Sequence, residues 1–171
     1  MARGYRVVAF DAFGHGESPG NSMSIPELAS CIRQVSDELG GVYGVVAHSM
    51  GGAATTLALS DGLQLERAVF ISPPSDPRVF LQIFSDAVGI PAEVRTHLKE
   101  RVERRVGITM ERMRANRIAP SMQVPLLVEA WPNAELVITE GLGHQRILRD
   151  EHVTNVAVSF IDAIQRLKSA A

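Results

Sequence analysis

A single cysteine, Cys31, stands in 171 residues. It excludes an internal disulfide and suits a reducing cytoplasm, the expected compartment. Positive charge is not in excess: 17 Lys and Arg face 19 Asp and Glu, a net charge of −2. A nucleic-acid partner is therefore not expected. No apolar run approaches the ~20 residues that span a bilayer, and Met1 to Phe10 lacks the long apolar core of a signal peptide. Internal repeats, linkers and low-complexity stretches are missing too. What remains is ordinary: 46% hydrophobic and 21% charged residues, which excludes a disordered chain, a collagen-like repeat and a disulfide scaffold. The length fits one domain, residues 1–171.

Short apolar runs alternate with amphipathic helices. Arg6–Phe10 (RVVAF), Val42–Ala47 (VYGVVA) and Arg67–Ser72 (RAVFIS) read as buried strands. Val124–Val128 (VPLLV) and Glu135–Thr139 (ELVIT) read as a fourth and a fifth. Ser24 and Glu27 form an S-x-x-E capping box that opens a helix with Leu28, Cys31, Ile32, Val35 and Leu39 on its apolar face. Gly40 and Gly41 stop it. An Ala-rich helix runs over 53–59. Asp76 as N-cap and Pro77 at the first position start another over 77–88. A charged helix follows over 92–106, and its interspersed acids read as a solvated face with intrahelical ion pairs. An amphipathic helix over 151–168 closes the chain. Strand–helix alternation predicts an α/β fold: a mostly parallel open sheet with helices on both faces. The helical block at 76–119 interrupts it as a small cap inserted over one end of the sheet.

The sharpest chemical signal is Ala47-His48-Ser49-Met50-Gly51-Gly52, between a predicted strand and a predicted helix. Such a turn demands small residues two positions either side of the serine, and Ala47 and Gly51 are small. It forces the serine hydroxyl into the crevice at the strand end and leaves the Met50 amide at a helix N-terminus, placed for an oxyanion. A serine needs a base. His97 and His152 read as solvated, and His15 lies in the loop after the first strand. His48 points away from the serine and reads as packing. His144, in Gly141-Leu142-Gly143-His144 after the fifth strand, shares the crevice of the C-terminal strand ends.

Three motifs, Asp11-Ala12-Phe13-Gly14-His15-Gly16-Glu17-Ser18, Ala47-His48-Ser49-Met50-Gly51-Gly52 and Gly141-Leu142-Gly143-His144, together resemble the α/β-hydrolase family over almost the whole chain. The resemblance implies Ser49 as nucleophile, His144 as general base and Met50 N–H as one oxyanion-hole donor. Against the family pattern the chain opens at what resembles the fourth strand, so it looks N-terminally truncated. The loop that carries the second oxyanion amide lies before that point. Only Glu129–Ala134 separates the fourth and fifth predicted strands, too short for a parallel crossover, which resembles an internal deletion before the last strand. The triad acid is then not at its usual place. Asp76, Asp150 and Glu129 are the candidates; Asp76 also reads as a helix N-cap, and Asp150 as the cap of the last helix.

Two functions follow from the resemblance. One is a serine hydrolase acting on a carboxylic ester or related acyl substrate, a small molecule, with no metal and no organic cofactor. The other is a catalytically impaired hydrolase-like protein acting in binding or in self-association, a homo-oligomer formed through an exposed sheet edge. A dinucleotide-binding fold fits poorly, because no G-x-G-x-x-G follows the first strand.

Overall fold

The computed structural model describes residues 4–115 and 135–162. The chain runs α1 (Ile25–Glu38), β1 (Gly44–His48), α2 (Met50–Ser60), β2 (Arg67–Ile71), α3 (Pro77–Ala87), α4 (Ala92–Val106), a short α5 (Gly143–Arg146) and, after a 3-10 turn at Ile147–Arg149, α6 (Glu151–Asp162).

Local signals set several boundaries. Ser24 Oγ accepts from the Glu27 amide, and the Glu27 carboxylate accepts from the Ser24 amide at 2.7 Å, so both halves of the capping box are formed. The bonds Gly40 N–H to Asp37 O and Gly41 N–H to Ser36 O end α1, with both glycines at positive φ. Gly107, at φ 73°, ends α4. In the loop before α1 the Asp11 carboxylate accepts from the Glu17 amide at 3.0 Å. A Cβ at Gly16 would lie 2.1 Å from an oxygen of that carboxylate, so this turn needs glycine.

β1 and β2 pair in parallel, Gly44 opposite Arg67 and His48 opposite Ile71. Side-chain alternation splits the pair into two faces. Val45, Ala47, Ala68 and Phe70 join the core with α1 and α2. Arg67, on the other face, stacks over the Phe160 ring of α6 at 4.8 Å, and a Cβ at Gly44 would lie 3.1 Å from Ile161 Cδ1. Helices therefore cover both faces. α2 is buried from Gly52 to Leu59. The buried residues of α1 are Ala29 and Ser36, with Ile25, Leu28 and Ile32 partly buried beside the core.

Three sequence expectations change. Arg6–Phe10 is not a ladder strand: Val7, Val8 and Phe10 are exposed, and among the described residues none pairs with it. A continuous apolar run becomes a strand only where another strand supplies its ladder. Glu135–Thr139 likewise forms no ladder among the described residues, with Ile138 exposed. Both segments carry the right side chains for a strand and find no ladder partner among the described residues. The sheet of the described residues is thus two-stranded. The predicted strand at 124–128 and residues 163–168 of the last helix lie outside the described residues.

After β2 the chain leaves the sheet at Ser75 and comes back to it at Ala115, whose N–H donates to Ser75 O at 2.9 Å. Between these points α4 bears the expected ion pairs, Lys99–Glu103 at 2.9 Å and Arg104–Glu100 at 3.8 Å. Past α4 the chain drops Met110 and Met113 into the core. Arg112 pairs with Asp61 at 3.1 Å and Arg114 with Asp76 at 3.3 Å, which ties this return to the body.

Candidate active site

Ser49 follows β1 and precedes α2 with φ 51° and ψ −126°, a conformation that costs a residue with a Cβ about 1–3 kcal/mol. Neighbouring bonds hold it there. Its N–H donates to Ile71 O at 3.0 Å, extending the ladder, and its carbonyl accepts from the Gly52 N–H at 2.9 Å. The tight approach behind the turn is at Gly52, where a Cβ would stand 2.8 Å from Pro73 Cβ. At Gly51 a Cβ would meet Ala47 Cβ at an ordinary 3.7 Å. Ser49 occupies the N-cap position of α2, yet its side chain makes no capping bond. The hydroxyl is left for another partner.

That partner is His144. Its Nε2 lies 3.0 Å from Ser49 Oγ, across 95 residues of sequence. His144 sits on α5, and the loop before it is braced by Arg146, whose Nη2–H donates to Gly141 O at 2.9 Å and Nε–H to Leu142 O at 3.1 Å. Met50 is the first residue of α2, so its N–H is one of the donors that a helix leaves without an internal acceptor. Ser49 is half-buried and His144 exposed, so the pair is open to water.

Asp76 is used elsewhere. Its carboxylate accepts from the Arg78 amide at 2.9 Å, capping α3, and from the Arg78 guanidinium; Arg114 adds a second cation. Hydrogen bonding from the Arg78 side chain, reinforced by its amide and by the charges of Arg78 and Arg114, holds the carboxyl below its ordinary 3.8 against a partial burial that raises it. Asp150 Oδ1 accepts from the Val153 amide at 3.0 Å at the start of α6. Glu129 lies outside the described residues. Among the described residues no carboxylate is hydrogen-bonded to the His144 ring.

Two residues escaped the sequence reading. Arg146 is one; nothing in the sequence marks an arginine two positions past the histidine as a brace. His48, expected only to pack, is the other in its particular partner: its Nε2 is 2.9 Å from His144 O, and the two rings lie 4.6 Å apart. His15 and His97 bond to nearby carbonyls, Phe13 O and Glu93 O, each at 3.0 Å.

A cavity of about 530 Å³ opens on the α6 side of β2, between Val69, Ile71 and Pro73 on one wall and Leu136, Val153 and Val156 on the other. Ser49 and His144 are not among its lining residues. Among the described residues no helix is long and apolar enough to cross a membrane.

A strained serine on a strand-to-helix turn, flanked by a parallel strand pair with helices on both faces, is the architecture of the alpha/beta hydrolase family. The model of that family matches residues 1–122, and the chain belongs to it. The match includes Ser49, Met50 and Asp76 and ends before His144, so the histidine's position beside the serine is an observation independent of it. A search of curated proteins and a search of solved structures each return no match.

Proposed function

We propose that the chain is a serine hydrolase that cleaves a carboxylic ester, or a related acyl bond, through an acyl-enzyme on Ser49. The observation that carries this reading is the 3.0 Å approach of His144 Nε2 to the hydroxyl of a serine in a strained, uncapped conformation. With Nε2 unprotonated, the Ser49 hydroxyl donates to it. Attack of Oγ on the acyl carbon passes that proton to His144, and the carbonyl oxygen becomes an oxyanion facing the Met50 N–H. Collapse expels the alcohol, which takes the proton from His144. A water then repeats the sequence and frees the acid.

Residues 76–119 form the cap of this single domain in our reading, supported by the departure at Ser75 and return at Ala115. The substrate is a small acyl compound with an apolar group. Phe80, Ile83, Phe84 and Val88, exposed on and just past α3, supply apolar surface for one. The pairing of α4 cations with neighbouring acids argues against a nucleic-acid face.

The competing reading is an impaired hydrolase that acts by binding or self-association. It is favoured by the missing carboxylate partner of His144 among the described residues, and by Val46, 58% exposed on β1. One experiment separates the two: intact-mass analysis after treatment with a fluorophosphonate probe. A single adduct, lost in Ser49→Ala, is expected of the hydrolase. A folded protein that takes up no adduct overturns that reading in favour of the second.

A further inference from the structure

We propose that His48, the residue before the nucleophile, is the positioning residue of the catalytic base, holding His144 by its backbone and its ring face. The inference rests on the reading of Ser49 and His144 as nucleophile and base.

The bond from His48 goes to the main chain of His144, at 2.9 Å. A carbonyl oxygen only accepts, so the proton of this bond resides on His48 Nε2. His48 Nε2 is thereby committed as a donor and cannot itself take the serine proton. The ring contact adds a second restraint. The two imidazoles lie 4.6 Å apart between centroids at 42°, so His48 bounds the sweep of the His144 ring on one side.

The restraint matters because of where His144 sits. Its helix α5 has four residues, and the segment before it, Glu135–Thr139, forms no ladder among the described residues. His144 itself is exposed. An imidazole on so short a support keeps a 3.0 Å approach to Ser49 Oγ only if something rigid holds it. His48 ends β1, which is paired along its length with β2. Arg146 restrains the preceding carbonyls, Gly141 and Leu142, but belongs to the same short helix and moves with it. Of the two, only His48 connects the base to the strand that also carries the nucleophile. Because His48 and Ser49 are consecutive, one rigid element sets both partners of the proton transfer.

The test compares His48→Phe, which keeps an aromatic ring and loses the donor, with His48→Gln, whose side-chain amide can donate from a similar reach. Two measurements are made on each folded protein: the fluorophosphonate labelling rate of Ser49, and the imidazole ¹⁵N signals of His144. Misplacing a reacting group by about 1 Å costs on the order of 10²-fold, so His48→Phe is expected to slow labelling by about that factor. His48→Gln is expected to restore most of the loss. With an ester substrate the loss should fall on kcat with KM little changed. Labelling of His48→Phe at the wild-type rate overturns the proposal. If the wild-type protein itself takes no label, the hydrolase reading fails separately, and the ¹⁵N signals decide: displacement in His48→Phe and recovery in His48→Gln sustain the positioning role, and unchanged signals end it.

Discussion

Gly52 packs directly against Pro73, with room for nothing larger than hydrogen: a Cβ at position 52 would lie 2.8 Å from the proline Cβ. The helix that follows Ser49 thereby touches the chain leaving β2. Gly52→Ala forces the two apart, and overpacking of this kind costs about 1–3 kcal/mol. Gly51→Ala, with 3.7 Å to its nearest neighbour, should show no such loss. Urea unfolding of the two variants checks the contrast; equal midpoints would disprove it.

Ser49 keeps a positive φ that glycine adopts freely. Ser49→Ala retains the Cβ and the strain, whereas Ser49→Gly releases it. Both variants should lose fluorophosphonate labelling. Ser49→Gly should be the more stable by about 1 kcal/mol, or roughly 2–4 °C in Tm for a chain of this size. Calorimetry on the pair distinguishes strain at the nucleophile from an ordinary turn.

The Ser49 proton needs an acceptor, and His144 is the group within reach. His144→Ala should slow labelling by about 10²–10⁴-fold, the usual contribution of a general base, with stability little altered because the side chain is exposed. Rates measured beside urea midpoints test this. Loss of rate and stability together would point to a folding role instead.

Asp76 carries a carboxyl held below its ordinary pKa first by the Arg78 side chain. A depressed folded pKa stabilises the fold at pH above the unfolded value, about 3.9, and that contribution is lost as pH falls through the folded value. Asn keeps the capping oxygen and drops the charge. Asp76→Asn should therefore be less stable than wild type near neutrality, with the gap closing as the pH drops below the carboxylate range. Urea midpoints from about pH 7 to about pH 3 follow that closing. Labelling of Ser49 at neutral pH should stay near the wild-type rate, since both Asp76 oxygens are taken by Arg78. A collapse of labelling would instead make Asp76 the orienting acid.

Features decided within a few residues were legible in the sequence. The Ser24–Glu27 box, the Asp76–Pro77 start of α3 and the glycine stop of α1 each rest on local hydrogen bonds that residue type alone announces. The small residues around Ser49 marked the turn for the same reason. What failed depended on neighbours. Arg6–Phe10 and Glu135–Thr139 have strand-like side chains, but a ladder requires a partner that periodicity cannot supply. The buried stripe of α1 passes through Ala29 and Ser36, which a search for large apolar residues overlooks, although small side chains are what let two helices approach. The contact of His48 with His144 depends on a loop 96 residues away, which no local pattern announces.

The bond from Ala115 to Ser75 makes the excursion through α3 and α4 a closed loop whose two ends meet at one spot beside the sheet. An insertion of this shape is an exchangeable part. The stretch bearing Met110 and Met113 is buried in the core, and the outer helices reach it through Leu81 and Val102, while most of their remaining surface is open to change with the entry and exit in place. Variation at the exposed positions of residues 77–106 therefore leaves intact the bonds that set Ser49, its N–H to Ile71 O and its carbonyl to the Gly52 N–H.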